Sequence, residues 1–194
     1  VLSAPGGMTD SLVALASAAE QGLDFSQQWQ ALASRCEGLK ADVEKSGVVV
    51  TSWPDLGELK NKLDGVSLIQ CCPDQVRAFV ISFGERVSVS LMQALLSSHD
   101  ARYLEATSCI ASTGGYIDAE ADLVTSKARF QAVLKENPAT IYIMPGFTAS
   151  NDKGELTTLG RNGSDYSAAI AAACLDAEIC QIWTDVDGVY SADP

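Results

Sequence analysis

A glycine-containing segment near the carboxyl end of the chain has the residue types of an anion-binding loop. It runs Gly160-Arg161-Asn162-Gly163-Ser164-Asp165 and leads into an alanine-rich stretch, 166–175, with helical spacing. Backbone N–H groups beside glycines at a helix N-terminus can bind an anion, and the guanidinium of Arg161 matches a carboxylate or phosphate in a bidentate way. The alternative is an ordinary helix capped by Ser164 or Asp165 with a surface arginine, and this segment alone leaves the two interpretations equally open.

A second candidate segment follows the predicted strand 179–184 and runs Trp183-Thr184-Asp185-Val186-Asp187-Gly188-Val189-Tyr190. Open α/β sheets bind their ligands at the carboxyl ends of strands. Asp185 could there bond a ribose hydroxyl or help to hold a metal, and Tyr190 could line a base pocket. Taken alone, an Asp-Gly turn with solvated carboxylates is the favoured interpretation.

Three further residues are weaker candidates. Glu85 lies in a break between two helical segments and could bind an ammonium group, although pairing with Arg86 or Arg77 is favoured on sequence alone. Ser3 and Thr9 flank a glycine turn and could donate hydroxyl groups to a ligand, although capping of the next helix is the better-supported role.

Composition excludes several function classes. The 194 residues are 47% hydrophobic and 20% charged, which suits one globular domain, and the net charge of −12 argues against non-specific binding to nucleic acid or anionic membranes. No apolar run approaches the roughly 18 residues of a membrane span, so we expect a cytoplasmic protein. Six cysteines without a Cys-x-x-Cys pair and a single histidine favour neither disulfides nor zinc. The Walker and dinucleotide-binding glycine fingerprints are both lacking.

Hydrophobic periodicity predicts alternating helices and strands. The first predicted helix is capped by Thr9 or Asp10. The other predicted helices cover 25–45, 55–63, 73–98, 119–135 and 166–175, and the one over 73–98 is interrupted at 82–85. Residues 101–111 are predicted to contain a strand and its turn. The other predicted extended segments are 140–144, a hairpin over 145–159, and 179–184. Together they predict one α/β domain, a three-layer α/β/α sandwich with a mainly parallel sheet. Residues 1–3 suggest the end of a buried strand, so we expect the start of that N-terminal strand to be missing.

Four segments, taken together, closely resemble aspartate kinase in order and spacing. They are Val1-Leu2-Ser3-Ala4-Pro5-Gly6-Gly7-Met8-Thr9-Asp10, Phe83-Gly84-Glu85, Thr158-Leu159-Gly160-Arg161-Asn162-Gly163-Ser164-Asp165-Tyr166 and Ile182-Trp183-Thr184-Asp185-Val186-Asp187-Gly188-Val189-Tyr190. The resemblance covers nearly the whole chain and is nearest to the kinase half of threonine-regulated bifunctional aspartokinase/homoserine dehydrogenases. It implies an amino-acid-kinase fold and transfer of the ATP γ-phosphoryl group, with Mg²⁺, to the side chain of L-aspartate. That reaction gives 4-phospho-L-aspartate and begins lysine, threonine and methionine biosynthesis.

The resemblance also implies roles for individual residues. Arg161 would hold the α-carboxylate of aspartate and Glu85 would receive its ammonium group. The rest of the aspartate pocket would come from Ser3, Thr9, Asn162, Gly163 and Ser164. Thr184, Asp185 and Tyr190 would contact the adenosine part of ATP, and Asp165 would be catalytic, organising cationic groups around the reacting phosphate. It implies no metal ligands that can be named here.

The sequence departs from the family pattern at both ends. A Lys-Phe-Gly-Gly-Thr or Lys-Phe-Gly-Gly-Ser segment precedes the match in the family, and an arginine and a lysine follow the Asp-Pro that is here Asp193-Pro194. Within 154–194 the single cation is Arg161. We therefore expect residues 1–194 to be an incomplete catalytic domain, inactive alone, from a homo-oligomeric parent. The alternatives are a non-catalytic aspartate-binding or regulatory and assembly module, and a related amino-acid or carbamate kinase.

Overall fold

The computed structural model describes residues 1–160 and 162–184, and within them the chain forms eight helices and six short strands. The helices are α1 Met8–Glu20, α2 Ser26–Glu44, α3 Leu56–Ile69, α4 Asp74–Ile81, α5 Phe83–Leu95, α6 Ala106–Cys109, α7 Leu123–Glu136 and α8 Gly163–Cys174. The strands are β1 Ala101–Tyr103, β2 Ala111–Thr113, β3 Glu120–Asp122, β4 Ile141–Ile143, β5 Thr148–Ser150 and β6 Leu156–Thr158.

The described strands form two sheets, a parallel pair of β1 and β4 and a four-stranded sheet in the order β3-β2-β5-β6. β1 pairs with β4 in parallel, β2 pairs with β5 in parallel, and Leu2 forms a single parallel bridge with Pro145. β3 runs antiparallel to β2, and β5 and β6 form the predicted antiparallel hairpin. The mixture arises because a short hairpin can add only an antiparallel strand, whereas the parallel pairs are joined through helices.

Two hydrophobic cores lie on either side of the strands. The first is built from α1 to α5, with Leu12, Leu59 and Phe83 completely buried. The second packs α6, α7 and α8 against the strands around Ile110 and Phe130. Helices therefore cover the strands from both sides, which confirms the predicted α/β sandwich.

Two predicted helix caps are wrong. Helix α1 begins at Met8 rather than after Thr9 or Asp10, because Gly7 adopts a left-handed conformation, with φ of 70°, that directs the chain into the helix a few residues earlier. Helix α8 likewise begins at Gly163 behind Asn162, whose φ is 55°, so Ser164 and the following Asp165 are inside the first turn and do not cap it.

The predicted strand 179–184 is also wrong. No strand is assigned there, and Ile179 and Trp183 are 72% and 89% exposed. A strand is stabilised by a hydrogen-bonded neighbour, and none of the described ladders pairs with this segment. The predicted helix 119–135 begins later, at Leu123, because 120–122 pairs with β2. The predicted interruption at 82–85 is confined to Ser82, where α4 ends and α5 follows at once.

The six cysteines divide into buried and exposed thiols. Cys36 and Cys72 belong to the helical core and Cys109 and Cys174 to the core beneath the strands, whereas Cys71 and Cys180 are exposed. Burial raises the pKa of both Cys36 and Cys109 to about 11. Within 1–160 and 162–184, no helix combines the length and apolarity needed to cross a membrane.

Candidate functional site

The amino ends of three helices meet at one cavity of about 550 Å³. The first turns of α1, α5 and α8 all contribute lining residues, so the positive ends of three helix dipoles lie beside the cavity. Seven residues singled out in the sequence line this cavity: Ser3, Thr9, Glu85, Asn162, Gly163, Ser164 and Asp165. Residues separated by up to 162 positions are thus brought to one site.

The loop before α1 forms one wall. The amide of Leu2 donates to the carbonyl of Met144 at 2.9 Å, and the amide of Gly146 donates to the carbonyl of Leu2 at 2.9 Å. These bonds fix Ser3 directly beyond the parallel bridge, at the cavity. Thr9 lies in the first turn of α1 on the same wall, so the hydroxyl groups of both residues are positioned by backbone pairing.

Glu85 forms the second wall and is unusual for an acid because it is only 3% exposed. Its pKa is raised to about 7, chiefly because burial disfavours the charged form, while the backbone N–H groups of Glu85 and Ala4 and the charge of Arg86 oppose that rise. One carboxylate oxygen, Oε2, has no hydrogen-bond partner among the described residues. A buried acid with one unpaired oxygen is suited to receive a cationic group from a ligand.

Glycine at position 84 allows this arrangement. A Cβ on Gly84 would lie 2.6 Å from the Cβ of Ala4, so any side chain would separate α5 from the loop that carries Ser3. The first turn of α5 can therefore approach the loop closely enough to place Glu85 at the cavity.

The favoured pairing of Glu85 with an arginine is wrong. Arg77 instead donates to Glu20 at 2.7 Å. Arg86 makes no ion pair within 4.0 Å among the described residues, and its guanidinium stacks over the ring of Phe79 at 4.2 Å. Each arginine contacts a different partner, so neither forms an ion pair with Glu85 at the cavity.

The third wall is the start of α8, held by close backbone packing. A Cβ on Gly146 would lie 2.8 Å from the Cα of Ser164, and a Cβ on Gly163 would lie 2.5 Å from Cδ2 of Phe147. The hydroxyl of Ser167 donates to the carbonyl of Gly163 at 2.7 Å and accepts from the amide of Phe147 at 2.9 Å. The surroundings thus hold Phe147 at a φ of 65°, a strained value for an aromatic residue.

The cavity residues that sequence reasoning missed include Phe147 and Asp118. Asp118 has a φ of 54° and its Oδ1 would lie 2.7 Å from a Cβ on Gly160, so it packs against the glycine loop. The preceding Gly114-Gly115 pair is a turn signal that could have drawn attention to this segment. The lining is acidic among the described residues, because Asp10, Glu85, Asp118 and Asp165 all belong to it.

The remaining predicted site residues are not brought to this cavity. Thr184 is exposed and does not line it. Arg161, Asp185 and Tyr190 lie outside the described residues. Within the described part of the chain, no cluster of three or more His, Cys, Asp or Glu residues could hold a metal ion.

Known proteins resemble this chain over its whole length. A bifunctional aspartokinase/homoserine dehydrogenase of Buchnera aphidicola subsp. Acyrthosiphon pisum (strain APS) is 44% identical over 143 residues, which cover 72% of this chain and 17% of that protein. A protein of the same name from Haemophilus influenzae is 35% identical over 205 residues, covering 100% of this chain and 25% of that protein. The chain therefore spans a quarter or less of the length of these two relatives.

A solved structure gives the same result for the fold. Escherichia coli aspartokinase III in complex with aspartate and ADP matches with a TM-score of 0.74 and 30% sequence identity, over 100% of this chain and 44% of that chain. The profile of the amino acid kinase family matches residues 1–194. From the family match and the shared fold it follows that the chain belongs to the amino acid kinase family.

Proposed function

We propose that this chain contributes the aspartate-binding part of an aspartate kinase, which transfers the γ-phosphoryl group of ATP to the side-chain carboxylate of L-aspartate. The observation that carries the proposal is the single cavity that joins the buried Glu85 to the amino end of α8. The relatives named aspartokinase, and the neighbouring structure that binds aspartate and ADP, support it.

The two walls suit the two charges of an amino acid. Glu85 would pair with the α-ammonium group, and the N–H groups at the start of α8, with Ser164 and the neighbouring Arg161, would bind the α-carboxylate. Ser3 and Thr9 would donate hydroxyl groups to the bound amino acid. Held at both charges, the substrate has its side-chain carboxylate free to react, and such positioning is most of what phosphoryl transfer requires of a protein.

ATP supplies the phosphoryl group: a side-chain carboxylate oxygen bonds to the γ-phosphorus while the bond from that phosphorus to the oxygen of ADP breaks. We assign the adenosine contacts to Thr184, Asp185 and Tyr190, and the organisation of cationic groups around the phosphate to Asp165. Mg²⁺ is proposed only as the usual companion of ATP, which holds it largely through phosphate oxygens and water. The described residues present no metal cluster, so no step is derived through the metal.

Calorimetry tests the aspartate site directly. L-Aspartate is titrated into the 194-residue chain beside succinate, which has both carboxylates and no ammonium group. We expect aspartate to bind more tightly, and Glu85→Gln to weaken aspartate by about tenfold while leaving succinate unchanged. The matched control is Glu120→Gln, at an exposed glutamate in β3. Equal binding of succinate and aspartate would contradict the assignment of Glu85.

Activity is measured on the longer protein that carries this chain, since the chain spans only part of its relatives. ADP release should require aspartate, and release with glutamate or N-acetylglutamate in its place would identify a different amino-acid kinase. Arg161→Ala should raise the KM for aspartate far more than the KM for ATP, and Asp185→Ala should show the opposite bias. Aspartate binding without any ADP release would favour the non-catalytic module.

A further inference from the structure

A second cavity, of about 270 Å³, lies on another side of the first turn of α5. One face of α5 lines it through Arg86, Val89, Ser90 and Gln93, which have the i, i+3, i+4, i+7 spacing of a helical stripe. Glu85 and Arg86 are neighbours in the chain, yet the first lines the aspartate cavity and the second lines this one.

Two buried donors at this cavity have no acceptor. Nε1 of Trp53 and Nε of Arg86 are the only side-chain N–H groups in the described part of the chain that are both buried and without a hydrogen-bond partner. Both residues line the cavity. Unpaired buried donors are costly, so two at one place require an explanation.

Arg86 is also a half-buried cation without an ion pair among the described residues. Its Nη2 donates to the carbonyl of Phe79 at 3.2 Å, and its plane stacks on the rings of Phe79 and Phe83. Burial lowers the pKa of Arg86, although the negative charges of Glu58, Glu105 and Glu85 oppose that change. An anion within hydrogen-bond distance would pair directly with the guanidinium and supply the missing acceptors.

The charges of Glu58, Glu105 and Glu85 all act on Arg86, but none of these acids forms an ion pair with it among the described residues, and Glu58 pairs with Lys62 at 3.6 Å. Glu105 lines the same cavity but accepts the hydroxyl hydrogen of Tyr103 at 2.6 Å and lies beyond ion-pair distance of Arg86. Trp53, Pro54 and Tyr103 make the other walls largely apolar or aromatic. The site is therefore shaped for a ligand with one anionic end and a small apolar body.

We infer that this cavity binds a small carboxylate, whose oxygens accept from Nε1–H of Trp53 and from the guanidinium of Arg86 while its apolar part contacts the aromatic wall. The planar fork of arginine matches a carboxylate in a bidentate way, which favours this class over a spherical anion. The inference does not depend on the kinase activity proposed above, because the residues that carry it lie outside the aspartate cavity.

Nuclear magnetic resonance of the ¹⁵N-labelled chain tests it, with propionate as the probe. The indole N–H signal of Trp53, assigned with Trp53→Phe, and the Nε–H signal of Arg86 should both move downfield as propionate is added. The indoles of Trp29 and Trp183 serve as internal controls and should not move. Propionamide, with the same body and no charge, should have no effect. An unmoved Trp53 signal, or equal shifts with propionamide, would overturn the inference.

Two variants separate binding from folding. Arg86→Gln should weaken propionate by about tenfold or more, because a charge-assisted bidentate contact is lost. Glu105→Gln removes the competing negative charge from the wall and should tighten propionate by about two- to fivefold. The unfolding midpoint and the Trp29 signal show whether each variant is folded. Unchanged affinity in Glu105→Gln, or in a folded Arg86→Gln, would contradict the site.

The carboxylate could be a free acid or a glutamate side chain of a polypeptide. A glutamate blocked at its amino and α-carboxyl groups, titrated beside propionate, distinguishes these sources. Tighter binding of the blocked glutamate would identify a polypeptide carboxylate as the ligand, and tighter binding of propionate would identify a free small acid.

Discussion

The α5 wall and the α8 wall of the aspartate cavity are built by opposite means. At α5 a charged side chain, Glu85, is buried almost completely and one of its oxygens has no partner. At α8 the wall is made of backbone, with Gly146 against Ser164 and Gly163 against Phe147 at distances that exclude a side chain.

The two walls therefore contribute differently to the stability of the fold and to the binding of a ligand. The α5 wall lowers stability, because burial disfavours the charged form of Glu85, and the unpaired oxygen Oε2 can accept a hydrogen bond from a ligand. The α8 wall adds packing and hydrogen bonds, and it offers donors that are already in place. Changes at α5 should therefore alter binding and pH dependence, whereas changes at α8 should first alter folding.

Gly146→Ala should have the largest effect. Its Cβ would lie 2.7 Å from the Cβ and 2.8 Å from the Cα of Ser164, and backbone cannot move aside as a flexible side chain can. We expect the free energy of unfolding to fall by about 2–3 kcal/mol, as in other overpacked sites, when measured by urea denaturation.

Gly38→Ala is its matched control. Gly38 lies in the exposed middle of α2 with nothing within 4 Å of a new Cβ. This change should raise the free energy of unfolding by about 0.5–1 kcal/mol, since alanine favours a helix over glycine. A Gly146→Ala variant as stable as the parent would show that the α8 wall is not tightly packed.

Glu85→Gln should have the next largest effect, and the effect should depend on pH. The pKa of Glu85 is raised from 4.5 to about 7, so between these values the folded chain holds a proton that the unfolded chain releases. The free energy of unfolding contributed by Glu85 therefore falls as pH rises through this window, and is lowest above pH ~8.

Relative to the parent, Glu85→Gln should thus become more stable on going from pH 5 to pH 8, by about 2 kcal/mol. Urea denaturation at a series of pH values measures this difference. Glu120→Gln should show none, since Glu120 is exposed. If the difference in unfolding free energy stays constant with pH, then Glu85 is charged across the whole range and its pKa is not raised by burial in the α5 wall.

Ser167→Ala should have the smallest effect. The hydroxyl links the amide of Phe147 to the carbonyl of Gly163, and removing it leaves that amide without its acceptor. We expect a loss of about 1–1.5 kcal/mol in the free energy of unfolding. Ser34→Ala, at an exposed position of α2, is the control and should change stability little. Equal losses in both variants would show that the link does not secure the α8 wall.

The sequence predicted which segments form helices and hairpins better than it predicted where those elements begin. Helices such as α2 and α7 and the hairpin of β5 and β6 follow from periodicity and turn residues, which are local signals. The start of α1 was misplaced because Gly7, and not a hydroxyl or carboxylate side chain, sets the entry of the chain.

The site itself shows the same division. Seven predicted residues were found at the cavity because family motifs mark them, whereas Phe147 and Asp118 were missed because their role depends on contacts with distant glycines. The pairing expected for Glu85 failed because Arg77 is bound by Glu20, 57 positions away. Such choices of partner are tertiary and leave no pattern in the sequence.

The buried cysteines can report on the opening of each layer of the fold separately. Cys36 and Cys72 lie in the helical core, and Cys109 and Cys174 lie in the core beneath the strands. A thiol reagent can modify them only when their layer opens, so the rate of modification under native conditions measures the opening of each layer separately. Comparing the modification rates of Cys36 and Cys109 would therefore report which side of the sandwich opens first, without any cysteine being introduced.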